Sequence, residues 1–164
     1  MFIKILVAFL LVGVTVAIHA VGFSVFLRRM IQSRAVDQSD LRPITGKVVG
    51  LTCWLMLIHL AEITVWGLFY LWQGCLPDAE SAFYFSAVTY TTVGYGDLVL
   101  PKPWRMLAPL EAMTGILMYG LSTGLFFALV SRWISKWIKA NAAKNRTHKT
   151  SSSTQSREND GSLR

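Results

Sequence analysis

Residues 5 to 27 carry no charge, and 23 residues of α-helix measure roughly 34 Å, enough to cross a hydrocarbon core of about 30 Å. Two more runs share this character. Residues 48 to 72 are apolar apart from His59 and Glu62, and a third run extends from about Trp104 to Ser131, with Glu111 in its first half and no charge from Ala112 onward. In lipid a backbone must bond its own polar groups, so each run has to be a helix. Composition agrees: 53% hydrophobic and 15% charged residues with a mean hydropathy of +0.45 exclude an ordinary soluble enzyme.

The start of the third run has two readings: Pro103 at the first helical position, or Pro109 restarting or kinking the helix. The first run has the Lys4 and small residues of a signal peptide, but it is longer than a signal core and ends in Arg28 and Arg29, so it is read as a span.

A net charge of +7 raises nucleic acid as a partner, but the placement of the charges argues for a membrane instead. Five cations and two acids lie between residues 28 and 47, and eight cations and two acids between 131 and 164, both next to apolar runs. Lysine and arginine concentrate on the cytoplasmic side, so the 28–47 loop and the C-terminal tail are expected inside, the N-terminus outside, and residues 73–103 on the exterior. In the tail, Trp133 and Trp137 stand four apart with Arg132, Lys136 and Lys139 around them, an interfacial amphipathic continuation of the third helix; beyond Asn141 disorder is expected. Cys53 and Cys75 suggest no disulfide framework, and there is no internal repeat.

Within the exterior segment, Asp78 after Pro77 is a good N-cap for about twelve residues of helix, roughly 18 Å, or half a bilayer. A helix of this length, bracketed by two spans on one side, dips in and returns. The return is made by Thr92-Val93-Gly94-Tyr95-Gly96-Asp97, preceded by Thr91. Gly94 and Gly96 permit the positive φ angles that realign carbonyls which a β-strand would alternate, while Val93 and Tyr95 are expected to point outward and brace the loop. A phosphate-binding glycine loop is excluded, because no Gly-Lys-Ser/Thr or third spaced glycine follows.

Together these residues resemble the potassium channel family, and the resemblance covers residues 48 to about 131. It implies an all-α membrane protein: three transmembrane helices plus a re-entrant pore helix and selectivity-filter loop, assembled as a homotetramer. Its parts would be an N-terminal helix (1–27), a cytoplasmic loop (28–47), a pore module (48–131) and a basic tail (132–164). It further implies passive K+ conduction, with K+ held at Thr92, Val93, Gly94, Tyr95 and Gly96, and no cofactor besides the permeant ion. Gly115, with Gly120 and Gly124 beyond it, looks like the inner-helix hinge of two-helix bacterial channels; close helix packing is the other reading. Val88 stands where some bacterial relatives carry an acid, and Tyr84 where voltage-gated relatives carry a tryptophan, so the Tyr84 hydroxyl is expected to bond Asp97 from the same or a neighbouring chain.

No run shows the regular arginines of a voltage sensor, and the tail is too short for a ligand-binding domain. A bacterial inner membrane is the expected location. His59 and Glu62 lie on one face of the second span, where an ionisable group is costly unless partnered. Structural bonding, proton sensing and metal binding all remain open for them, with His19 or Glu111 as the further metal ligand, while Glu111 by itself is expected to pair locally near the pore helix. A sodium-passing pore would need a change within Thr92 to Gly96, an intramembrane enzyme leaves the filter sequence unexplained, and a non-conducting regulatory subunit is the remaining alternative.

Overall fold

The computed structural model describes residues 2–32 and 42–161. Among the described residues there are four helices and no strand: α1 (Phe2–Gln32), α2 (Arg42–Trp72), α3 (Ala79–Tyr90) and α4 (Leu107–Gly161). Three of them hold segments long and apolar enough to cross a bilayer, Ile3–Arg29, Thr45–Trp72 and Leu107–Ala143. The chain is thus an all-helical integral membrane protein.

The boundaries differ from expectation in three places. α2 begins at Arg42, so the expected 28–47 loop shrinks from both ends, and 33–41 lie outside the described residues. α4 starts at Leu107, which makes Pro109 its third residue; a missing N–H there costs nothing, because the first turn has no carbonyl partners for its N–H groups. The expected disorder beyond Asn141 is not found: α4 runs on to Gly161. Its sequence has neither proline nor glycine between Gly124 and Gly161, so nothing in the backbone stops the helix.

α1 is bonded to α2 along its length. Trp66 Nε1 donates to Thr15 Oγ1 at 3.1 Å, and Trp54 Nε1 to the Gly22 carbonyl at 2.8 Å. Gly22 also makes room for Ile58, whose Cγ1 would lie 2.7 Å from a Cβ there. Gly67 does the same on the other side of α2, where a Cβ would meet the Phe83 ring at 2.6 Å. Small residues are what allow membrane helices to approach this closely. One apolar core gathers Trp66, Phe69 and Tyr70 of α2 with Phe85 and Tyr90 of α3 and Leu107 of α4; a second joins Leu51, Leu55 and Ile58 to Leu129 and Trp133. Between the two lies a buried polar layer. Cys53 and Cys75 are both free.

Candidate pore and its buried polar support

The Asp78 backbone is extended, and its carboxylate accepts from the Ser81 N–H at 2.8 Å and from the Ser81 hydroxyl at 3.1 Å, which caps α3 as its sequence predicts. At the other end the chain peels off gradually: Thr92 N–H reaches the Thr89 carbonyl at 2.9 Å, and Gly94 N–H the Val88 carbonyl at 3.0 Å. The loop of residues 91–97 therefore grows directly from the C-terminus of α3, the end that carries partial negative charge.

Along the loop every second residue has positive φ: Thr92 at 62°, Gly94 at 51° and Gly96 at 78°. Alternating hands turn over every second peptide plane relative to a β-strand, which is how carbonyls that would alternate come to share a side. Glycine supplies this conformation at two positions at little cost. Thr92 is β-branched, so its left-handed backbone stores about 1–2 kcal/mol of strain. Sequence reasoning assigned the unusual backbone to the glycines and missed Thr92; nothing in a threonine announces it.

Tyr84 donates its hydroxyl to Asp97 Oδ2 at 2.8 Å within the same chain, while Asp97 Oδ1 accepts the Leu98 N–H at 3.0 Å. The hydrogen bond to Asp97 pushes the Tyr84 phenol above its ordinary pKa, so it remains a donor through and beyond neutral pH. Val93 and Tyr95 point away from their own chain, 51% and 73% exposed, and so brace nothing within it. Against the alternate loop residues, Thr92, Gly94 and Gly96, opens a largely apolar cavity of about 320 Å³, with Phe85, Leu98, Ala108 and Pro109 also in its wall.

Gly115 lies where α4 crosses the end of α3. A Cβ on it would stand 2.0 Å from the Tyr90 carbonyl oxygen, so the two backbones touch. Gly120 and Gly124 face open space within the chain.

The polar residues of the spans form two clusters, not one. Glu111, grouped with His59 and Glu62 as a candidate site, is separate: its Oε2 accepts from Tyr70 at 2.7 Å and its Oε1 faces Ser86 Oγ at 2.6 Å. Ser86 Oγ also faces the Ile63 carbonyl at 2.9 Å. The reason for the separation is distance along α4, since Glu111 lies about two to three helical turns from Tyr119 and Ser122, the α4 residues that face His59. Their third partner is His19 of α1. His19 Nδ1 is 2.9 Å from Glu62 Oε1, and His59 Nδ1 is 3.1 Å from Glu62 Oε2, which also takes the Tyr90 hydroxyl. Ser122 Oγ bridges the far nitrogens, 3.3 Å from His19 Nε2 and 3.1 Å from His59 Nε2. His19, Glu62 and Tyr90 are at most 1% exposed. The donor atoms of His19, His59 and Glu62 lie within 4.8 Å of one another, a spacing compatible with a metal ion, but each is already engaged in hydrogen bonding within the set. His19 was legible only as an isolated histidine in an apolar run; its meaning depends on how α1 packs.

Residues 55–132 match a family model described as "Ion channel". The chain is also 29% identical over 127 residues to the voltage-gated potassium channel Kch of Escherichia coli (strain K12), an alignment covering 74% of this chain and 30% of that protein. The chain thus corresponds to less than a third of that relative's length. No solved structure gives a significant match.

Proposed function

Residues 55–132 match the ion channel family model, and from that similarity we propose that four copies of the chain form a potassium-selective pore around the loop Thr92–Gly96. The observation that carries this reading is the alternating backbone at Thr92, Gly94 and Gly96, which suits a stack of carbonyl rings, one carbonyl per chain in each layer. Such a cage replaces the water shell of K+, so an ion enters without losing its solvation energy and leaves because neighbouring sites repel through their occupants. The similarity to a potassium channel points to the same ion.

In this reading α3 is re-entrant, and its C-terminal carbonyls favour a cation in the space beneath the filter. The exposed Val93 and Tyr95 belong to contacts between copies, where each loop is braced by its neighbour. The basic stretches at 28–47 and 131–164 set both on the cytoplasmic side, with the N-terminus and the filter mouth outside. Conduction is passive and no catalytic step is involved.

The test is flux from liposomes containing only this chain. K+ efflux many-fold faster than Na+ efflux is expected, together with its loss in Gly94→Ala, whose Cβ disfavours φ of 51° by about 1–2 kcal/mol and so biases the loop out of the alternating backbone. Equal passage of the two ions, or undiminished K+ flux in the variant, overturns the reading.

A further inference from the structure

His19 lies outside the segment that matches the ion channel family, yet it completes a closed ring of hydrogen bonds with that segment. Counting hydrogens in that ring is informative. Six contacts are in reach, and the longest, His59 Nδ1 to the Tyr90 oxygen at 3.3 Å, shares a hydrogen with a shorter neighbour, so five hydrogens are required: His19 Nδ1 to Glu62 Oε1, His59 Nδ1 to Glu62 Oε2, Tyr90 to Glu62 Oε2, and Ser122 Oγ to each of the two Nε2 atoms. With Glu62 ionised and both imidazoles neutral only four are available, one from each ring and one from each of the Tyr90 and Ser122 hydroxyls. If both rings keep hydrogen on Nδ1, Ser122 donates to one Nε2 and meets the bare lone pair of the other. If one ring moves its hydrogen to Nε2, its bare Nδ1 faces a carboxylate oxygen; at His59 the Tyr90 hydroxyl lies 3.3 Å from that Nδ1, but its hydrogen is already given to Glu62 Oε2. Either arrangement opposes lone pairs in a buried place, where that is expensive.

A fifth hydrogen removes the conflict. One ring then donates from Nε2 to Ser122, Ser122 donates to the other ring, and both Nδ1–H groups donate to Glu62. The same hydrogen also brings the cluster from a net charge of −1 to zero, which a membrane interior favours. Hydrogen-bond closure and charge thus give the same count by separate routes.

We propose that His19, His59, Glu62, Ser122 and Tyr90 form a binding site for one proton, shared between the two imidazoles through Ser122, and that this proton couples α1 to the pore. The coupling runs through Tyr90, the last residue of α3, whose hydroxyl is bonded to Glu62 and whose backbone leads through Thr91 into the strained Thr92. The titratable and polar groups facing the site are His19 from α1, His59 and Glu62 from α2, Tyr90 from α3, and Tyr119 and Ser122 from α4, with the Tyr119 ring 4.3 Å from that of His59 between centroids. Losing the proton leaves a buried negative charge and an opposed contact, so the four helices no longer hold Tyr90 in place and conduction falls. α1 is then a working part of the pore rather than an anchor.

Two measurements on the full chain in lipid nanodiscs or liposomes test this. In the first, ¹⁵N-histidine spectra are recorded in a His148→Gln background, which leaves His19 and His59 as the two imidazoles. Expected near neutral pH is hydrogen on both Nδ1 atoms together with one Nε2, fixed on one ring or averaged over both; two rings carrying one hydrogen each, in whichever tautomer, overturn the site. This arm does not depend on the channel reading. The second arm rests on it: K+ flux is followed across the pH range over which the spectra lose the Nε2 hydrogen. A several-fold fall in flux in step with the spectra is expected, abolished in His19→Gln, which keeps a donor for Glu62 but has no second ring nitrogen for Ser122. Ser122→Ala, a smaller change, is expected to abolish the exchange between rings and flatten the same pH profile. A wild-type flux that stays constant while the spectra change overturns the coupling.

Discussion

At the scale of single residues, the outer end of the loop depends on one donor. Tyr84 is the side chain that reaches the Asp97 carboxylate, and Asp97 in turn holds the backbone of Leu98 where the chain leaves the filter. Tyr84→Phe keeps the ring and removes only the hydroxyl, so fold and assembly should survive while the mouth of the filter loosens. The expected outcome is a several-fold faster decay of K+ flux during sustained conduction, read from liposomes under constant load. The pH dependence has a definite sign. The phenol's pKa is raised in the folded chain by its bond to Asp97, so the contribution is present in full below the ordinary tyrosine value of about 10 and disappears only as pH rises through the higher folded value. Between pH 6 and 9 the decay rate of wild type and Tyr84→Phe should therefore differ by a constant factor. A difference that vanishes within that window argues against the bond.

At the scale of helices, the contacts that matter are where backbones meet. Gly115 touches the Tyr90 carbonyl so closely that Gly115→Ala must push α4 off the end of α3. A cost of about 3 kcal/mol or more is expected, because the obstacle is backbone and not a side chain that turns aside. Gly120→Ala, open within the chain, is the control, and thermal unfolding of the two in detergent gives the comparison. The cluster around Glu111 offers a second test: Ser86 has one hydroxyl hydrogen and two acceptors in reach, so a hydrogen on Glu111 Oε1 satisfies every contact. Glu111→Gln supplies that donor and should change stability by less than about 1 kcal/mol, whereas Glu111→Ala strands Tyr70 and Ser86 and should cost about 3 kcal/mol. The spans, the short capped helix and the loop glycines were legible in the sequence because each has a local cause: length without charge, an aspartate after proline, residues without Cβ. The partners were not. That His59 meets His19 and not Glu111 is set by the rotation of α1 against α2, which no local pattern records, and the length of α4 is decided by the absence of any residue that would break it.

At the scale of the whole molecule, a single chain leaves its most specialised surface unfinished. Tyr95 and Val93 project away from their own chain, and irregular backbone is tolerated in a membrane only if buried in protein or lining water. In the proposed pore another copy covers this surface, because a loop that offers one carbonyl per layer needs a rotation axis to make a cage. Native mass spectrometry from detergent is expected to give a particle of four times the 18.3 kDa chain, without smaller stable species. Tyr95→Ala should populate dissociated chains by removing the largest exposed side chain of the loop, whereas Gly94→Ala, which presents no new clash within the chain, should keep the tetramer and lose the flux. The two variants separate assembly from conduction. A monomer that conducts, or a tetramer whose flux survives Gly94→Ala, would place the ion path somewhere other than this loop.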